Sequence, residues 1–336
     1  MKIAVLSTVA WRTPPLHYGP WEQMASNLTE GLVEAGHEVT LFATGSSQTN
    51  AKLRSITEQG YEEDRNQDAK VIECLHIAQL MESAADFDLI HNHFDFLPLS
   101  YTGLIDTPVV TTIHGFSSEK IIPVYKKYNA KNYYVSISES NRHPDLNYLA
   151  TVYNGIDTAA LRFQDKPEGE AYLLFFGRIH PHKGTEEAIA IAKKSKQKLI
   201  IAGIIQDQQY FTDKIEPQLS DQIIYAGSAG PDKRNELMGN AIALLHPISF
   251  DEPFGLSVAE SMLCGTPVIA FNRGSMPELI KDGETGFLVN NIEEAAESVS
   301  TVPSLSRALC REWSAAQFSK EKMVADYISL YHQILS

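Results

Sequence analysis

The chain has 336 residues, 43% of them hydrophobic and 21% charged, with a formal net charge of −14. That length implies about two domains, each able to bury its own core. The acidic balance lacks the basic footprint that general nucleic-acid binding needs, and it disfavours adsorption to anionic lipid.

The three cysteines, Cys74, Cys264 and Cys310, are widely spaced and form no CxxC pair. Buried thiols in a reducing compartment are expected. The opening MKIAVLSTVAW has no cationic region or small-residue cleavage site, and reads as a first strand. No run reaches the roughly 18 apolar residues of a membrane span, so a cytoplasmic protein is expected. Lys126, Lys127 and Lys131 read as a solvated helix face.

Met1 to Ser7 is an aliphatic run suited to a parallel strand buried on both faces. A polar loop follows, with Arg12, Pro14, Pro15, His17 and a Tyr18-Gly19-Pro20 turn. From Trp21 to Ala35, Met24, Leu28, Leu32 and Val33 recur at helical spacing; Gly36 ends the helix, and HEVTLFAT is the second strand. This βαβ unit requires a right-handed crossover and a parallel sheet. The pattern repeats with a helix near residues 68–85 and the strands FDLIHNH, PVVTTIHG, YYVSIS and ATVYNGID, with Tyr133 and Tyr134 as core residues. Thr158 to Glu170 combines Asp, Lys, Pro and Gly and is the best linker.

A second series starts with the strand AYLLFFGRI, a helix from Thr185 to Ser195 and the strand KLIIAGI. A helix near 208–219, QIIYAG, a helix near 231–239 and AIALLHP follow. Then come EPFGLSVAESMLCG, TPVIAF, a helix near 276–281, GFLV and further helices from about residue 292, the last from Lys320 to Leu335. The expected class is α/β, with two doubly wound domains in series and a cleft at the carboxyl ends of their strands.

Three constellations carry chemistry. Glu252 to Gly265 opens with an acidic residue and a Pro-Phe-Gly turn feeding a helix, whose unpaired N–H groups and dipole suit a phosphate. Glu252 and Glu260 could accept from sugar hydroxyls; the same residues also fit an ordinary strand–loop–helix unit with solvated carboxylates. Arg178 and Lys183 in GRIHPHKG place two cations on a loop after a buried strand, suited to a diphosphate, or else a solvent-facing charged loop. His114 follows a strand's carboxyl end, as a cleft residue or a structural one. His91 and His93, and His180 and His182, have no Cys or carboxylate at ligand spacing, so no metal site is expected. GxGxxG, GxxxxGK[ST] and GxSxG are absent from the relevant turns.

GRIHPHKG, EPFGLSVAE, GTPVIAFNRGSMPELIKDGETGFLV, and YGPWE followed by LVEAGHEV occur in order. Through them the chain resembles the retaining, nucleotide-sugar glycosyltransferases of family 4, which have the GT-B fold. The resemblance implies two Rossmann-like domains facing each other across a cleft. These are an acceptor domain over 1–160, a nucleotide-sugar domain over 161–315, and a C-terminal helix, 316–336, crossing back to the first. It implies a UDP- or GDP-sugar donor, a sugar, metabolite or lipid-linked acceptor, no metal or other cofactor, and a monomer or homodimer.

The implied catalytic residues are His114, Arg178, Lys183 and Glu252. Arg178 and Lys183 would hold the diphosphate, and the backbone of Phe254, Gly255 and Leu256 the distal phosphate or sugar. Glu260 would take the ribose, Glu252 the sugar hydroxyls, and His114 the sugar's reacting face. Gly19 would let the first loop approach the phosphate, with Asn154 and Gly227 bordering the donor. The chain departs from the family's usual Gly-Gly in the first loop, where Pro20 follows Gly19 and removes an N–H. A nucleotide-sugar epimerase, a sugar phosphorylase and a catalytically silent nucleotide-binding scaffold are the alternatives on this architecture.

Overall fold

The computed structural model describes residues 1–16 and 18–336; His17, in the first polar loop, lies outside the described residues. The chain forms two compact units, Met1–Ile156 with Lys320–Ser336, and Asp157–Ser319. The sequence reading divides it at 160 and 315 instead. The reason lies in the expected linker. Arg311 donates to the carbonyls of Thr158 (3.1 Å) and Leu161 (2.9 Å), and Arg307 to that of Gln164 (2.7 Å). These guanidinium forks bind the stretch into the second unit.

The first unit runs β1 (Lys2–Leu6), α1 (Pro20–Glu34), β2 (Glu38–Phe42), β3 (Lys52–Arg54) and α2 (Ala69–Glu82). It continues with β4 (Leu89–Asn92), β5 (Val109–Ile113), α3 (Ile122–Tyr128), β6 (Tyr133–Ser136) and β7 (Tyr148–Thr151). All its strand pairs are parallel, in the order β3-β2-β1-β4-β5-β6-β7. Side chains alternate across β1, as strand geometry requires. Ile3 and Val5 meet Leu28 and Leu32 of α1, while Ala4 and Leu6 meet Ile77 and Leu80 of α2. The short edge strand β3 has no apolar run to announce it in the sequence. Tyr134 is buried but Tyr133, at the start of β6, is exposed.

The second unit runs β8 (Tyr172–Phe176), α4 (Thr185–Ser195), β9 (Lys198–Ala202), α5 (Gln208–Tyr210), β10 (Ile223–Tyr225), α6 (Pro231–Asn240) and β11 (Ala243–His246). Then follow α7 (Leu256–Leu263), β12 (Val268–Phe271), α8 (Met276–Leu279), β13 (Gly286–Val289), α9 (Ile292–Val299) and α10 (Arg307–Phe318). The helix expected near 208–219 changes type along its length, with a π-helical stretch at Phe211–Ile215 and a 3-10 turn at Glu216–Gln218. This sheet is also parallel, ordered β10-β9-β8-β11-β12-β13. Each sheet reverses its winding once, beside β1 in the first unit and beside β8 in the second. Ligands bind at such switch points, outside the carboxyl ends of the strands.

The last helix, α11 (Lys320–Leu335), belongs to the first unit. Its Met323, Tyr327 and Tyr331 are buried in the same cluster as Leu28 and Leu32. Cys264 and Cys310 are buried, but Cys74 is exposed, contrary to expectation, because it lies on the outward face of α2. Among the described residues, no helix is long and apolar enough to cross a membrane.

Helix α1 approaches α11 through Gly31. A Cβ there would lie 2.3 Å from Cγ2 of Val324. Gly31→Ala should therefore destabilise by about 1–3 kcal/mol through overpacking, despite the better helix propensity of alanine. Adding Val324→Ala should recover part of that loss. Urea unfolding of both variants checks this, and an additive double mutant would count against the contact.

Candidate functional site

Strand β8 ends at Phe176, and the loop that Gly177 opens carries Arg178 and Lys183. Gly203, after β9, must be glycine, since a Cβ there would lie 1.8 Å from the Gly177 carbonyl oxygen. Gly184 adopts φ 77°, and its Cβ would lie 2.0 Å from the Pro247 carbonyl oxygen. The loop after β8 is thus pressed against the one after β11, and Ser249 N–H donates to the His182 carbonyl at 3.1 Å. Lys183 consequently meets Glu252, whose carboxylate accepts directly from its ammonium group. Both side chains are about one-seventh exposed, at 15% and 13%. The Lys183 Nζ also stands 4.8 Å from the centre of the Phe250 ring.

Glu252 is fixed by its own backbone. Its carbonyl accepts from Ser275 N–H at 3.0 Å, and a Cβ at Gly274 would lie 2.4 Å from its nitrogen. Beneath it, buried His246 ends β11 with Nε2 3.8 Å from the carboxylate. Burial lowers this imidazole to about 4, so it is neutral at pH 7, although Glu252 pulls the other way. His246 escaped the sequence reading, yet it obeys the rule that picked out His114: a histidine at the carboxyl end of a strand. Arg178 donates to Gln206 Oε1 at 2.8 Å.

Glu260 lies on α7, where Arg234 of α6 donates to it at 2.8 Å. Burial raises its pKa, and Arg234 opposes the rise. No local signal marks Arg234, which reaches Glu260 only through tertiary packing of α6 on α7. Gly255 caps α7 at φ 93° with no side-chain hydrogen bond, so the first N–H groups gain nothing from a capping side chain. The Phe254 side chain is buried and its carbonyl accepts from Ser275 Oγ at 2.6 Å. The Phe254 side chain is thereby withdrawn from any ligand. Gly227 is left-handed at φ 77°, and its carbonyl accepts from Gly203 N–H at 2.9 Å.

The first unit holds the remaining candidates. His114 follows β5, stacks on Trp21 with ring centres 5.5 Å apart, and meets His93 through Nε2···Nδ1 at 2.9 Å. His93 stacks on His91, whose ring nitrogens reach Tyr331 and Thr112. Thr112 also meets Tyr327 at 2.6 Å. Burial holds all three histidines neutral, His91 and His114 at about 3 and His93 well below the usual value. The His93 Nε2 is buried without a partner. A proton there would be an orphan donor, the costlier kind of unpaired group. Hence His93 carries its proton on Nδ1 and donates to His114, whose own proton sits on Nδ1.

Asn154 is buried in the loop after β7. Gly19 adopts φ 153°, and a Cβ there would lie 2.7 Å from the Glu22 carboxylate and 2.9 Å from Pro15. Pro20 is the first residue of α1, a position whose N–H has no helical partner in any case.

Two outcomes follow from this geometry. Arg234→Met should strand a buried carboxylate and cost about 2–3 kcal/mol, less than a fully buried pair would because both groups keep some solvent. Glu260, already above its ordinary 4.5, rises further in that variant. The deficit is therefore largest near pH 8 and shrinks towards about pH 5 as the carboxyl takes up a proton. A loss equal at both pH values, in chemical denaturation, would contradict the pairing. For the histidines, nitrogen-15 NMR should find His114 protonated on Nδ1 and neutral down to about pH 5, with His93→Phe producing a mixture of tautomers. A His114 proton on Nε2 in the wild type would reverse the assignment.

The comparisons accord with this geometry. Residues 22–160 match the model described as Glycosyltransferase Family 4, and residues 157–318 that of Glycosyl transferases group 1. A Klebsiella pneumoniae protein encoded in a cps region is 32% identical over 166 residues, covering 47% of this chain and 45% of that protein. Glycogen synthase of Mycobacterium tuberculosis is 23% identical, over 95% of this chain and 90% of its own. Anabaena HepE, solved in complex with UDP-glucose, superposes with a TM-score of 0.76 at 19% identity, covering 99% of this chain and all of its own. The chain belongs to the family-4 glycosyltransferases, enzymes of the GT-B fold.

Proposed function

We propose that the protein transfers a hexosyl group from a UDP- or GDP-sugar to a hydroxyl acceptor, with retention of anomeric configuration and without a metal ion. The observation that carries the reading is the meeting of Lys183 and Glu252 at the switch point of the second sheet. A donor diphosphate offers Lys183 a second anionic partner. As it takes up the ammonium group, Glu252 is freed to accept from a sugar hydroxyl. Arg178 adds a planar fork for phosphate oxygens. The start of α7 adds backbone N–H groups and a favourable dipole. Glu260 accepts from the ribose. Binding of UDP-glucose by HepE, a protein of the same fold, supports a nucleotide-sugar donor.

In the proposed step the bond from the sugar's anomeric carbon to the diphosphate oxygen breaks as the acceptor oxygen bonds on the same face. The acceptor's proton passes to the departing phosphate. Negative charge grows on that phosphate, and fixed cations aimed at it lower the barrier. His114, neutral with its proton on Nδ1, supplies a donor for an oxygen of the sugar. In the second unit Gly227 borders the donor. We place the reaction in the cytoplasm, in keeping with an exposed free thiol at Cys74 and no designated disulfide partner.

Lys183→Ala should lower nucleoside-diphosphate release from UDP-glucose or GDP-mannose by about 10²–10³-fold or more, with circular dichroism unchanged. EDTA should leave the wild-type rate intact, and proton NMR of the product should show the donor's anomeric configuration. Full activity in Lys183→Ala would remove the proposed role of the loop after β8.

A further inference from the structure

At the switch point of the first sheet, the loops after β1 and β4 enclose a cavity of about 470 Å³. That is within the usual range for a small-molecule site. Its walls are aromatic, with Trp11, Tyr18, Trp21, Tyr61, Phe94 and Phe96 among them. Trp21 turns its other contact to His114, ring on ring. Three carboxylates also line it: Glu22, Glu73 and Asp95. No lysine or arginine is among the described residues that do.

Each carboxylate is held by a hydroxyl donor. Glu22, 3% exposed, accepts from Thr8; Glu73 accepts from Tyr61 at 3.0 Å; Asp95 accepts from Tyr125. Asp95 is also held at φ 85°, a conformation rarely adopted by residues other than glycine, and Asn92 donates to its carbonyl at 3.0 Å. Such strain persists only where the surroundings over-determine it. Asp95 is therefore aimed by its neighbours rather than free to swing away.

We propose that this cavity is the acceptor site and that it takes a sugar or polyol ring carrying no anionic group; the proposal rests on the transferase reading above. Flat aromatic faces cover the C–H faces of a sugar ring. Carboxylates fixed at the walls accept its hydroxyls through charge-assisted hydrogen bonds. A phosphate ester brings a charge of about −1.5 to −2 into this setting. With no cation on the wall, repulsion from carboxylates a few ångströms away lowers its affinity by at least about tenfold.

The test is a glycan array bearing matched uncharged and phosphorylated glycans, probed with the full chain in the presence of UDP or GDP. Tryptophan fluorescence titration with the best binder follows, since two of the chain's three tryptophans, Trp11 and Trp21, line the cavity. Uncharged glycans should bind at least about tenfold tighter than their phosphate esters. Trp11→Ala should weaken the uncharged binder about tenfold while nucleotide binding, read by thermal shift, stays unchanged. Glu73→Lys should narrow the preference against phosphate esters. Preference for phosphorylated glycans, no glycan binding at all, or a Trp11→Ala variant that binds as the wild type does would each overturn the proposal. If glycans bind as expected but no nucleotide shifts the melting temperature, the donor reading fails and the cavity stands. If nucleotides bind and only phosphorylated glycans follow, the cavity assignment alone falls.

Discussion

Lys183 and Glu252 are contributed by loops 69 residues apart in the chain, and their ion pair spans the point where the second sheet reverses its winding. Strand order brings β8 and β11 together, and glycines bring their loops close enough for the two side chains to touch. Gly184 permits contact with Pro247, Gly203 with Gly177, and Gly274 with Glu252. A methyl group at any of these positions would displace backbone rather than a flexible side-chain tip. The chemistry of the second unit is therefore set by main-chain approach, and the charged groups occupy the space that remains.

The two units use similar sheets in different electrostatic ways. The second gathers charge and compensates it pairwise, Lys183 with Glu252 and Arg234 with Glu260. At the ends of β4 and β5 the first does without charge. Its histidines His91, His93 and His114 are stripped of water and remain neutral; His93 bonds to His114, while His91, stacked on His93, reaches Tyr331 of α11 and Thr112. A neutral imidazole with one fixed proton is a directional donor. That is a different tool from a cation, which attracts anions from every side.

Much of this was legible in the sequence, for physical reasons. Buried parallel strands must be nearly continuous apolar runs, so GFLV and the β8 run stand out, and the bounds read for α4 and α11, the latter from its apolar spacing, match the helices to the residue. The short edge strand β3 carries no such run. The 158–170 stretch looks like a linker because its composition is that of one; its attachment to Arg307 and Arg311 depends on residues about 150 positions away. Family motifs singled out Arg178, Lys183, Glu252 and Glu260, but the pairing between them is tertiary. Arg234 and His246 were missed for that reason, as was the requirement that Gly19 make room for Glu22. The histidines of HNHFD gave a clear pattern whose purpose, a buried ladder beside His114, appears only when β4 and β5 are placed side by side.

The position of α11 has a consequence for how the protein is made. The first unit begins with the first residue and is completed by the last helix, while the second unit is one continuous segment. On a ribosome, Asp157–Ser319 is made in one piece between the two parts of the first unit. The earlier-made sheet meanwhile waits with the face of α1 at Gly31 uncovered until Val324 and the rest of α11 arrive. The unit whose synthesis starts first therefore cannot close until the whole of the second has been translated. The interval of greatest exposure to chaperones and to aggregation belongs to the amino-terminal unit, and premature termination within the final helix leaves that unit without its cover.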